Sequence, residues 1–201
     1  MALNFQYNKT ALQHLRKQLA VREKALPTLK SKETALRVEV KKLLAQVRDH
    51  RKQFTEAEEQ CQRFGGLWLD FPPVAQPENV EVVTRNILGV KVPHVEEVRF
   101  TERPVGLFRQ PPAFADLLAA WKNLLEQEIL LKVKQQQLQL LEDARKKTTQ
   151  KVNLYEKVQI PAYEQAIQKV KRYLEDKENI AKASQKMLLE RLRKREEAVV
   201  V

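Results

Sequence analysis

The stretch that decides the fold is LQHLRKQLAVREKALPTLKSKETALRVEVKKLLAQVRDHRKQFTEAEEQCQRF, residues 12–64. Taking steps of three and four residues from Leu12 visits Leu12, Leu15, Leu19, Arg22, Leu26, Leu29, Glu33, Leu36, Val40, Leu43, Val47, His50, Phe54, Ala57, Cys61 and Phe64. Thirteen of these sixteen are apolar. A spacing near 3.5 held for that long predicts a helix with a narrow apolar seam, which needs a second helix along its length. At about 1.5 Å per residue such a helix would reach roughly 80 Å, more than a small globular core can wrap.

Composition points the same way. Four glycines in 201 residues, 6% aromatics and abundant Leu, Lys, Glu, Gln and Arg describe long helices around a thin core. The lone Cys61 lies on the seam and excludes an internal disulfide, and MALNFQYNK has no signal-peptide core, so a cytoplasmic location is expected. No apolar run approaches the roughly 20 residues that span a bilayer.

Moving toward the N-terminus, Asn8 and Thr10 are the candidate helix caps. Pro27 interrupts the pattern beside Leu26, predicting either a tolerated solvent-side kink or a bend fitted to an enclosing sleeve. On the C-terminal side, Gly65-Gly66 is the helix stop.

The insert that follows, LWLDFPPVAQPENVEVVTRNILGVKVPHVEEVRFTERPVGLFRQPP, holds seven prolines, too many for a long helix. Its runs Val80, Val82, Val83, then Val90, Val92, then Val95, Val98, Phe100, punctuated by Gly89 and Pro93, predict one β-hairpin. A self-contained knob is expected, with a small core of Trp68, Phe71 and Phe108 and no role in holding the helices together. Gly89, Val90 and Pro93 are candidate partner contacts.

Pro111-Pro112 introduces a second helix. Its seam reads Leu117, Trp121, Leu124, Glu128, Leu131, Gln135 and Leu138, weakens through Arg145 and Val152, and recovers after Pro161 as Tyr163, Ala166, Ile167, Val170, Tyr173, Leu174, Ile180, Ala181, Met187 and Leu188. The expected fold is therefore all-α dominated: a long antiparallel two-helix coiled coil with a small central insert containing a β-hairpin. Three parts are expected: an N-terminal coiled-coil helix (1–64), a central knob (65–112) and a C-terminal coiled-coil helix with a basic tail (113–201).

Charge is uneven along this plan. Residues 9–52 carry 13 Lys and Arg against 4 Asp and Glu, 53–113 carry 6 against 9, and 182–201 carry 6 against 3. An antiparallel hairpin would gather the basic segments at the end bearing both termini. Lys182, Lys186, Arg191, Arg193, Lys194 and Arg195 crowd the last stretch; of these, Lys186, Arg191, Arg193, Lys194 and Arg195 are candidate partner contacts. The tail from Lys182 onward is expected to fray in the free chain.

Catalysis finds no support. There is no phosphate-cradling GxxxxGK[ST] loop, and four glycines leave no room for a dinucleotide fingerprint. His14, His50 and His94 stand far apart without ligand spacing, so no metal, no cofactor and no catalytic residue is assigned. The basic residues interleave with acids and lack a stacking platform, which argues against nucleic acid.

Three stretches, NKTALQHLRKQLAVREKALPTLKSKETALR, NILGVKVP and above all KVNLYEKVQIPAYEQAIQKVKRYLEDKE, resemble the D subunit of the V-type (A/V-type) ATP synthases in its bacterial version. The most specific element is V-N-x-x-E-x-x-x-I-P: Val152, Asn153, Glu156, Ile160 and Pro161. Departures are Asn8-Lys9-Thr10, where the family often has Pro-Thr-Arg, and Asn153-Leu154-Tyr155-Glu156, where it has Asn-Ala-Leu-Glu. The resemblance implies a non-catalytic central-stalk rotor shaft whose coiled coil, termini first, enters the hexamer of catalytic A and regulatory B subunits. It also implies that the other end docks the F subunit and the socket subunit above the membrane ring, coupling ATP turnover to H⁺ or Na⁺ movement. The protein would then be peripheral at the inner face of the cell membrane, reaching the membrane only through the complex. The other reading of the residues is a coiled-coil adaptor or chaperone-like protein.

Overall fold

A computed structural model describes residues 5–65, 75–102 and 113–199. The element order is helix α1 (Lys9–Gln62), strands β1 (Ala75–Ile87) and β2 (Val90–Glu102), helix α2 (Phe114–Asn153), a π-helical turn (Leu154–Gln159) and helix α3 (Ile160–Val199). The chain divides into two compact units, one of residues 1–31 with 149–201, the other of residues 32–148. Each is a pair of antiparallel helices, and the second also carries the hairpin. The coiled-coil and hairpin architecture expected from the seam is the one observed.

Helix α1 begins where its first free N–H groups find an acceptor: Asn8 Oδ1 accepts from the Ala11 N–H at 2.6 Å, so Asn8 and not Thr10 is the cap. It runs through Pro27, which sits exposed in the helix. The carbonyl that Pro27 leaves without a donor belongs to Glu23, also exposed, where water can satisfy it. At the far end Gly65 takes φ +50°, the left-handed conformation that glycine reaches without steric cost.

In the unit holding both termini, Leu15, Ala166, Ile167 and Val170 form the buried core, with Phe5, Leu12, Leu19, Tyr163 and Leu174 packed around it. The helices run antiparallel: Lys9 meets Glu178, Arg22 meets Gln159, and Lys30 meets Glu156.

The π-helical turn in this unit has a local cause. Pro161 has no N–H to give and its ring crowds the carbonyl four residues back. The backbone responds by inserting a residue: the Ile160 N–H bonds the Tyr155 carbonyl, five residues back instead of four. The family motif thus carries, in Pro161, the cause of a helix irregularity that a simple periodic stripe leaves out.

In the unit of residues 32–148, the hairpin corrects the picture of a free-standing knob. Val92, on β2, is 1% exposed and shares a buried cluster with Leu36 and Leu43 of α1 and Leu141 of α2, with Val40, Ile87, Val90 and Leu138 around them. The register sets Ile87 opposite Val90, Arg85 opposite Val92 and Val83 opposite His94. Cross-strand pairs share a face and alternate residues do too, so Arg85, Ile87, Val90, Val92 and His94 lie on one side, the side turned to the helices. At the base, Trp121 Nε1 donates to the Ala75 carbonyl at 3.3 Å. At the tip, Leu88 (φ 52°) and Gly89 (φ 81°) form a two-residue turn with both residues left-handed, and a β-carbon on Gly89 would come within 3.3 Å of Lys32 Nζ. The hairpin is therefore part of the helical core. The expected knob core of Trp68, Phe71 and Phe108 lies outside the described residues.

Candidate partner-binding site

Helix α3 outlasts its partner. Lys9, the first residue of α1, pairs with Glu178 at 3.6 Å, and a small aromatic group, Phe5, Tyr7 and Tyr173, closes that level, with Tyr7 and Tyr173 centroids 5.0 Å apart. From Asn179 to Arg193 every residue of α3 is exposed. Ile180, Met187, Leu188, Leu189 and Leu192 are between 47% and 67% exposed. Lys182, Lys186, Arg191 and Arg193 are exposed among them, with Glu190 the one carboxylate in that span.

This segment is helical where fraying was expected. Leu, Lys, Arg, Glu, Gln, Met and Ala dominate it and neither Gly nor Pro interrupts, so intrinsic propensity favours continuation. The Ser184 hydroxyl donates back to the Ile180 carbonyl at 2.9 Å, within the helix. The result is a preformed cationic helix carrying several large apolar side chains in water, the combination that marks a surface for another protein.

The second polar assembly sits at the π-helical turn. Arg22 Nε donates to Gln159 Oε1 at 2.7 Å, and its Nη1 donates to both the carbonyl and Oε1 of Gln18, at 2.8 and 2.7 Å. Its guanidinium also lies 4.5 Å from the Tyr163 ring centroid. Lys30 bonds Glu156 at 2.6 Å. Within the motif, Val152, Ile160 and Pro161 are half-buried, while Asn153 and Glu156 are exposed. The residues on the turn hold α1 in register with the returning helix, a role for Arg22 and Lys30 that the seam pattern alone did not reveal.

The other candidate residues fall as follows. Leu15, Leu36, Leu43 and Leu117 are buried; Leu12, Leu19, Leu26, Leu29, Val40, Val47, Trp121, Leu124, Leu131 and Leu138 are half-buried. The most buried positions of α2 also include Leu141, Gln137 and Thr148, none on the drawn seam. Gln137 is buried because its amide donates to the Pro93 carbonyl of the hairpin, and Thr148 because its hydroxyl turns back to the Ala144 carbonyl at 2.8 Å. Val90 and the Pro93 carbonyl are thus engaged within the chain, whereas Gly89 is exposed. Lys194 and Arg195 lie on α3, but their side chains are outside the described set.

A profile of the ATP synthase D subunit matches residues 11–190, nearly the whole chain. The chain belongs to the ATP synthase D subunit family. It is similar to the V-type ATP synthase D subunit of Chlamydia pneumoniae, 27% identical over 183 residues and 88% of each chain. It is likewise similar to the D subunits of the V-type ATP synthases of Chlamydia muridarum, 28% identical over 178 residues covering 86% of this chain and 88% of the relative, and of Chlamydia abortus, 26% identical over 203 residues and 98% of each. The D subunit is a stalk component that works with other subunits of a membrane-associated rotary complex. Among the described residues, no helix is long and apolar enough to cross a membrane.

Proposed function

We propose that this D subunit is the central rotor shaft of a V-type ATP synthase or ATPase. On this reading the bare basic end of α3 enters the hexamer of catalytic A and regulatory B subunits, and turning of the shaft couples ATP synthesis or hydrolysis there to H⁺ or Na⁺ transport in the membrane ring. The chain supplies torque and asymmetry, not nucleotide chemistry. The insert of residues 65–112 meets the F subunit and the socket subunit, with Val82, Val83 and Leu88 as exposed apolar contacts among its described residues, in place of Val90 and Pro93. The complex holds it at the inner face of the cell membrane.

The observation that carries this reading is the helical stretch 179–193, exposed on every residue and both cationic and apolar. A sleeve lined with apolar and acidic groups would remove those apolar side chains from water, at about 25 cal/mol per Å² of area covered, and offset the positive charge. The test is a chain ending at Ala181. It should melt with the full chain when isolated, since every described side chain of the deleted stretch, residues 182–193, is exposed. It should bind a reconstituted A/B hexamer more weakly, and the difference should shrink as salt screens the lost charges. Full retention of hexamer binding would overturn the proposal.

A further inference from the structure

The unit of residues 32–148 contains a cleft of about 290 Å³ between the inward face of the hairpin and the two helices. Basic side chains reach it from three elements: Lys42 from α1, Arg85 and His94 from the hairpin, and Lys134 from α2. Glu39 is the one carboxylate in its lining. Apolar walls come from Leu43, Ile87, Val92 and Leu141.

From this geometry we propose that the cleft binds a phosphate-type oxyanion, either inorganic phosphate or the phosphoryl end of a nucleotide. Four basic groups line this one cleft, Lys42 and Arg85 exposed and His94 and Lys134 half-buried, and their mutual repulsion is relieved if a counter-charge joins them. Among the described residues none of Lys42, Arg85 or Lys134 makes an ion pair. Lys134 Nζ is engaged only by the neutral Gln46 Oε1, at 3.2 Å. Burial and then the Arg85 charge hold Lys134 below the usual ammonium range. His94 is likewise held down by burial, then by Arg85 and Lys134, with Glu96 opposing. An oxyanion accepts from ammonium, guanidinium and imidazolium donors at once, and each such charge-assisted bond is stronger than a neutral one. A cleft of this small volume, lined by basic groups beside apolar walls, suits a compact ion better than a protein surface.

The proposal is tested on the full chain at constant ionic strength, with inorganic phosphate, ADP, adenosine and chloride as probes. Calorimetry measures affinity, and ¹H–¹⁵N NMR of the imidazoles, assigned with His94→Gln, follows the titration of His94. Phosphate should bind saturably with a Kd of about 1 mM or tighter, adenosine and chloride should not, and phosphate should move the His94 titration upward in pH. Arg85→Gln with Lys134→Gln should weaken phosphate about tenfold or more, whereas Lys147→Gln on the exposed side of α2 should leave it unchanged. ADP binding about tenfold tighter than phosphate identifies a nucleotide as the source, and equal affinity identifies the free ion. An unmoved His94 titration, or equal affinity in the native chain and the double variant, overturns the proposal. Should the double variant unfold, the His94 titration of the native chain decides.

Discussion

Replacing Val92 with Ala asks whether the hairpin belongs to the core of its unit. Val92 is 1% exposed and packed with Leu36, Leu43 and Leu141. The substitution removes two methyl groups, worth about 1.6 kcal/mol of transfer free energy. It leaves a void of roughly 50 Å³, which at about 24 cal/mol per Å³ adds about 1.2 kcal/mol if the walls do not collapse. The expected cost is about 2–3 kcal/mol. The control is Val82→Ala on the facing strand, where the side chain is 49% exposed and the cost should stay near about 0.5 kcal/mol. Urea unfolding followed by circular dichroism gives the totals, and hydrogen exchange gives the location. Amides of β1, β2 and the facing segments of α1 and α2 should lose protection together in the Val92 variant, because opening the hairpin uncovers Leu36 and Leu141. Equal costs at positions 82 and 92, or a loss of protection confined to the hairpin, would refute the docked arrangement.

Three further outcomes follow from individual residues. Leu88→Asn should stabilise the hairpin by about 1 kcal/mol, since Leu88 holds φ 52° where Asn is tolerated and Asn-Gly is the favoured two-residue turn; thermal melting that shows no gain would contradict the strain argument. Arg22→Ala should cost about 1–2 kcal/mol through the lost bonds to Gln159 and Gln18 and the lost stacking on Tyr163, with exchange accelerating over 154–163 before the rest of the unit. Acidification should loosen the docked hairpin: the folded state holds His94 below the ordinary imidazole value of about 6.5, so its contribution is whole above that pH and falls as pH drops through it toward the folded value. Exchange rates of β2 amides across this range check the sign, and His94→Gln should flatten that part of the profile.

Period carried the reading a long way where side chains obey it. Leu15, Leu36, Leu43 and Leu117 are buried where a 3.5-residue step puts them, and Gly89 marks the turn because few other residues tolerate its backbone. The hairpin's fold-back was not legible, since a seam says that a helix needs cover and not what supplies it. Leu36 and Leu43 meet β2 as well as α2, so one stripe serves two partners. Gln137 escaped notice because its burial depends on the carbonyl of Pro93, far back in the chain. The π-helical turn shifts the phase of everything after it, and Pro161 read as a restart of the stripe when it is the reason for an inserted residue. The exposed end of α3 was readable as charge, but its helicity had to be weighed against the missing partner, and propensity won.

A rotor shaft must turn. A/B hexamers fixed to a surface, assembled with the full chain and the F subunit and carrying a bead attached through the F subunit, can be watched singly while ATP is added. The bead should rotate stepwise in one direction, stop when ATP is withdrawn, and rotate only rarely when the chain ends at Ala181. A bead that stays still while the same hexamers hydrolyse ATP would contradict the rotor role.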